Sequence, residues 1–135
     1  MQQDDFKNYH YQLLDWINET INSIEVTKID PHKVRWLISI LSFKLDYYFE
    51  NIYPEILNSP DIKIQIKALK HKEVVKNISK QYKEYESKWQ NYLHIKNNTK
   101  DFCHETRNIL AIIKLWASLE FEEFYLHLTN PLPPE

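Results

Sequence analysis

The chain contains no glycine in 135 residues, one methionine and one cysteine. Glycine is the default residue wherever a backbone takes positive φ or approaches a ligand closely. Its absence excludes a GxGxxG loop, a GxxxxGKS or GxxxxGKT phosphate cradle and a GxSxG nucleophile elbow. Tight hairpin turns lose their usual residue as well. Most nucleotide-binding α/β enzymes and all-β folds are therefore disfavoured, and a helical fold with polar connections suffers least. The single Cys103 rules out an intrachain disulfide and fits a reducing compartment. No apolar run approaches the roughly 20 residues that span a bilayer. The opening MQQDDFKNYH is polar and acidic, with no apolar h-region of a secretory signal. A net charge of -2 gives no global pull towards nucleic acid or an anionic membrane. The expectation is a soluble, cytoplasmic protein that makes no membrane contact.

What is present is apolar and aromatic. Hydrophobic residues make up 43% and aromatic residues 14%, enough for one continuous core in one domain. That domain is expected over residues 1–130. The tail 131–135, rich in proline, cannot continue a helix and is expected to fray.

Apolar residues recur at three- and four-residue spacing in four segments. The first helix is predicted over Asp5–Ile24, with Phe6, His10, Leu13, Ile17, Ile21 and Ile24 on one face. Asp30 is a good N-cap and Pro31 suits a first helical position. Val34, Leu37, Leu41, Leu45, Tyr48 and Ile52 then form a stripe towards Leu57, with Pro54 kinking or ending the last turn. Ser59–Pro60 repeats the cap-then-proline signal before a third helix. Its seam is His71, Val75, Ile78, Tyr82, Tyr85, Trp89 and Tyr92. Asn97-Asn98-Thr99 marks a break, with Thr99 as the expected cap. A fourth helix follows, with Phe102, Thr106, Ile109, Ile113, Trp116, Glu120 and Phe124 on one face. Short connections between long helices imply antiparallel neighbours, so the expected fold is all-α, an up-down-up-down antiparallel four-helix bundle. Core packing is the expected role of Trp16, Trp36, Trp89 and Trp116.

Five polar residues fall on or beside these seams: His10, Lys44, Tyr48, His71 and Glu120. A buried charge without a partner is very costly. Counted from the connections, all five lie within a few turns of one another, so they are expected to satisfy each other in a buried network.

Here the residues resemble a known family. The segment Leu45–Leu57, LDYYFENIYPEIL, is similar to the second helix of hemerythrin-like (HHE cation-binding) domains. Trp116–Tyr125, WASLEFEEFY, is similar to the fourth, and Leu69–Val75 sits at a matching distance after Pro54. The resemblance spans nearly the whole chain in helix order. It implies a non-haem di-iron centre held by histidines and carboxylates from all four helices. On this sequence His10, His71 and Glu120 match such ligands. The second-helix positions hold Lys44 and Tyr48, the third-helix partners of His71 are Lys67 and Val75, and a fourth-helix histidine position holds Trp116. The implication is a scaffold that has lost its iron. The Lys44 ammonium would neutralise Glu120 while Tyr48, His10 and His71 complete the hydrogen bonds and Trp116 fills the space. No metal ligand is expected, and if there are any they are His10, His71 and Glu120.

Other constellations carry less. His32, His94, His104 and Cys103 fall near one end of the fold but lack ligand spacing, so chance proximity is the expectation. Cys103 and His104 are adjacent and point about 100° apart on a helix, which is poor geometry for a nucleophile–base pair. Glu122 and Glu123 read as an exposed face. Lys63, Lys67, Lys70, Lys72, Lys76, Lys80 and Lys83 make the third helix basic. They form a solvated face or a docking strip for an acidic partner. Without arginine there, base reading in nucleic acid is disfavoured.

The overall expectation is a non-enzymatic module without cofactor that acts through a protein partner or regulation, with a homodimer allowed. The alternative is a working metal- or oxygen-binding domain using non-haem iron. A small nucleic-acid-associated subunit ranks below both.

Overall fold

The structure is a computed structural model that describes residues 3–25 and 27–128. Among these residues the chain is all-helical and has no strand. The elements are α1 (Gln3–Ile24), α2 (Pro31–Tyr47), a π turn (Tyr48–Ile52), α3 (Tyr53–Leu57), α4 (Ile62–Lys88), α5 (Tyr92–Asn97), α6 (Thr99–Phe124) and a 3-10 turn (Tyr125–His127). No described residue has positive φ. The connections thus avoid the conformation that glycine normally supplies. The tail 131–135 lies outside the described residues.

Local chemistry sets the boundaries. Asp30 caps α2 by accepting from the His32 and Lys33 amides at 3.0 and 3.2 Å, with Pro31 beginning the helix. The long second helix read from the sequence is divided in three. Pro54 has no amide hydrogen and its ring crowds the carbonyl one turn back. The backbone widens ahead of it, and the Tyr53 amide bonds the Tyr48 carbonyl. The next helix opens at Ile62 rather than at Pro60. Its cap is Asp61, which accepts from the Lys63 amide at 2.9 Å, and the Ser59 hydroxyl serves the Asp61 amide instead. The third seam also ends early, at Lys88, and Asn91 caps the separate helix α5. Thr99 is not a cap. Its hydroxyl bonds back to the Ile95 and Lys96 carbonyls, and Asn98 occupies the cap position.

The seams close on one core. Leu13, Ile17, Val34, Leu41, Ile64, Ile78, Phe102 and Ile113 are all buried within it. Helix α1 packs on α2 and α6, and α4 packs on α2 and α6. Ring and side-chain contacts give the registers. Phe6 stacks on Phe121, while the Cys103 thiol near the start of α6 reaches the Ile24 carbonyl at the end of α1. His71 meets Glu120, while Tyr85 meets Thr106. Buried hydroxyls find partners throughout: Tyr82 donates to the Ile38 carbonyl at 2.6 Å and Tyr85 shares a hydrogen bond with Thr106 at 2.6 Å. Among the described residues no buried side-chain polar atom lacks a partner, as the cost of an orphaned donor demands.

The tryptophans divide. Trp89 and Trp116 are buried and Trp16 is half-buried, but Trp36 is 55% exposed, against the core role expected of it. It lies across from the core face of α2, edge-on to Trp16 with ring centroids 5.6 Å apart.

Candidate functional site

The most unusual side chain in the core is Glu120, which is 1% exposed. It faces inward because it continues the α6 stripe after Ile109, Ile113 and Trp116. Three groups converge on its carboxylate. The Tyr48 hydroxyl, at the start of the π turn, donates to Oε2 at 2.7 Å. The Trp116 indole N–H, one turn earlier on α6, donates to Oε1 at 3.2 Å. His71 Nδ1 on α4 lies 3.1 Å from the same oxygen. Both carboxylate oxygens are therefore engaged by protein.

Burial pushes the Glu120 carboxyl above the ordinary carboxylate range. The Tyr48 hydrogen bond, the His71 ring and the Trp116 N–H oppose that shift without cancelling it. The carboxyl in turn holds its neighbours' protons. Burial, then the charge and hydrogen bond of Glu120, raise Tyr48 well above an ordinary tyrosine. Tyr53 is pushed up to about 12 by burial and then by Glu120. Its hydroxyl bonds the Ala68 carbonyl, which ties α3 to α4.

Of the five residues expected to form the network, Tyr48, His71 and Glu120 meet directly. His10 is buried at 8% exposure and borders the same spot, where its ring stacks on Phe121 at 4.4 Å. Burial lowers its proton affinity, so a neutral ring packed as an aromatic is its stable form. Lys44 does not reach Glu120. Its Nζ lies 5.6 Å over the Trp16 ring, in the outer groove between α1 and α2. The reason is energetic. Leu41 and Leu45 fill the core at that level of α2, and a four-carbon stem carries the ammonium outwards, where it stays hydrated. The acceptor expected to pair with an ammonium pairs instead with the Tyr48 hydroxyl, the Trp116 indole and the His71 ring. The indole of Trp116 was foreseen as filler, but it is also a donor. Its four-residue spacing from Glu120 was the available signal. Tyr9, whose hydroxyl bonds the Lys44 carbonyl, gave no such signal.

The space beside Glu120 is small. The void between His10, Tyr48, Trp116 and Glu120 is about 10 Å³. That is room for no more than about one water molecule. Among the described residues no group of three or more His, Cys, Asp or Glu converges as metal ligands.

The remaining candidates disperse. His32 packs tilted against Tyr92 at 4.2 Å, His94 stacks on Trp89 at 4.6 Å, and His104 lies beside Asn108, each ring with a separate partner. The lysines of α4 do not form one strip. Lys67 pairs with Glu123 of α6 at 3.3 Å, whereas Lys83 pairs with Asp46 of α2 at 3.0 Å, so the charges divide between two flanks. No described helix is long and apolar enough to cross a membrane. Compared with known protein families, with curated proteins and with solved structures, the chain gives no significant match to any of them.

Proposed function

We propose that this chain is a non-enzymatic, cytoplasmic, hemerythrin-like module whose metal position has been taken over by its own side chains, and that it acts through protein–protein contact. In this reading α1, α2, α4 and α6 form an up-down-up-down four-helix bundle. The end-to-end registers of α1 with α6 and of α4 with α6 support that topology.

The observation that carries the proposal is the set of protein partners gathered on Glu120. A carboxylate whose two oxygens accept from Tyr48 and Trp116 and lie against His71 has about three of its four lone-pair sites engaged by protein, which supports a position given over from a cation to side chains. The contact role rests on α2. Val34, Leu37, Leu41 and Leu45 occupy its core side, yet Trp36, Phe43 and Tyr47 are exposed on its outer side, Phe43 at 72%. Large apolar side chains exposed together on an outer helix face are a common mark of a contact surface.

The test is elemental analysis of the purified chain after aerobic reconstitution with ferrous iron, together with its visible spectrum. The expected result is a colourless protein with far less than stoichiometric iron. Stoichiometric iron with a visible band overturns the proposal in favour of a working metal site around His10, His71 and Glu120.

A further inference from the structure

At the end of the fold opposite Glu120, the α1–α2 connection meets α5 and the first turn of α6 around a cavity of about 480 Å³. That volume falls within the range of small-molecule sites. Its apolar wall is Ile24, Ile29 and the ring of Tyr92, against which His32 packs at a tilt.

The polar lining has one sign. Lys28, Lys96 and His32 line the cavity and, among the described residues, no aspartate or glutamate does, although acidic residues outnumber basic ones in the chain. Some lysines find carboxylates, Lys33 with Glu19, Lys67 with Glu123, Lys83 with Asp46 and Lys88 with Glu105. Among the described residues Lys28 and Lys96 do not. The acids nearest Lys28 along the chain are already committed, Glu25 to Arg107 and Asp30 to capping α2. Two unpaired ammonium groups thus face one largely apolar cavity. The first turn of α6 begins beside the cavity at Thr99, with no side-chain cap and with Asp101 in that turn. The Cys103 thiol borders the same space.

We propose that this cavity binds an amphiphilic organic anion, with its head between Lys28 and Lys96 and its apolar body against Ile24, Ile29 and Tyr92. The unpaired lysines select the charge of the head, and the apolar wall supplies affinity that a bare inorganic anion cannot use. This site is separate from the Glu120 cluster and does not depend on its function.

The test is calorimetric titration of the full chain at neutral pH with octanoate, inorganic phosphate and octyltrimethylammonium. Lys28→Glu and Lys96→Glu are titrated alongside, with circular dichroism to verify their fold. The expected result is one-site binding of octanoate, weakened roughly tenfold by each charge reversal. Phosphate and the cationic amphiphile should bind far more weakly. Bound octanoate should also slow alkylation of Cys103. Equal binding of the cationic amphiphile would show that charge plays no part and overturn the proposal. Phosphate binding as tight as octanoate, octanoate binding indifferent to both reversals, or no octanoate binding would each overturn it too.

Discussion

Replacing Glu120 with alanine removes the acceptor shared by Tyr48, Trp116 and His71. The Tyr48 hydroxyl and Trp116 indole are buried at 3% and 4% exposure and have no water to turn to. Each orphaned donor costs about 1–3 kcal/mol. His71 keeps part of its ring at the surface and loses less. The sum is a destabilisation of about 3–5 kcal/mol, which for a chain of this size lowers Tm by roughly 10–18 °C. Glutamine provides the contrast. Its amide oxygen can accept from Trp116 and its amide hydrogens can donate to the Tyr48 oxygen, so E120Q should stay within about 1 kcal/mol of wild type. The pH dependence has a definite sign. Burial raises the folded-state carboxyl above its ordinary 4.5, so the native state holds that proton more tightly than the unfolded chain. Stability from this group is fully present below about 4.5 and is lost as pH rises through the folded value. E120Q should therefore gain on wild type as pH rises through that window. Urea unfolding of the three proteins across the acid-to-neutral range measures all of this. If E120A costs less than about 1 kcal/mol, or the gap between wild type and E120Q does not move with pH, the account of the buried acceptor is refuted.

Further expectations concern the caps and the thiol. Asp61→Ala should cost about 1 kcal/mol in thermal or urea unfolding. Ser59→Ala should cost less than half of that, because Asp61 rather than Ser59 serves the first turn of α4. Burial raises the Cys103 thiol above its ordinary range. Its alkylation by iodoacetamide at neutral pH should therefore be at least about tenfold slower in the native protein than in urea. Equal rates would place the thiol in solvent.

The seams were legible because 3.6-residue periodicity is a property of sequence. Phe102 through Phe124 faces the core as the spacing of α6 requires. Glu120 and Tyr48 were legible for the same reason, as polar residues at apolar positions. Lys44 was not, because a position beside the seam can send a long stem either way, and only the neighbouring packing decides. The exposed Trp36 shows the complementary limit. An aromatic residue invites a core assignment, but the core face of α2 was already filled by Leu37 and Ile38. The α4 lysines looked like a strip in one dimension and divided between two flanks in three. The short helix α5 escaped notice because Trp89 and Tyr92 continue the heptad-like pattern across the Asn91 cap.

The π turn makes the length of one segment a matter of rotational phase. In a regular α-helix, residues five apart point about 140° from each other. Tyr48 and Tyr53 are five apart, yet both are buried, one directed to Glu120 and the other to Ala68. The widened turn behaves like one inserted residue that has been absorbed without a loop. Deleting Asn51 would wind the backbone back to ordinary pitch and swing the helix beyond it by about a quarter-turn or more. Tyr53 and Ile56 would then leave the interior together. Between Leu45 and Ile56 the chain therefore tolerates changes of side chain more readily than changes of length.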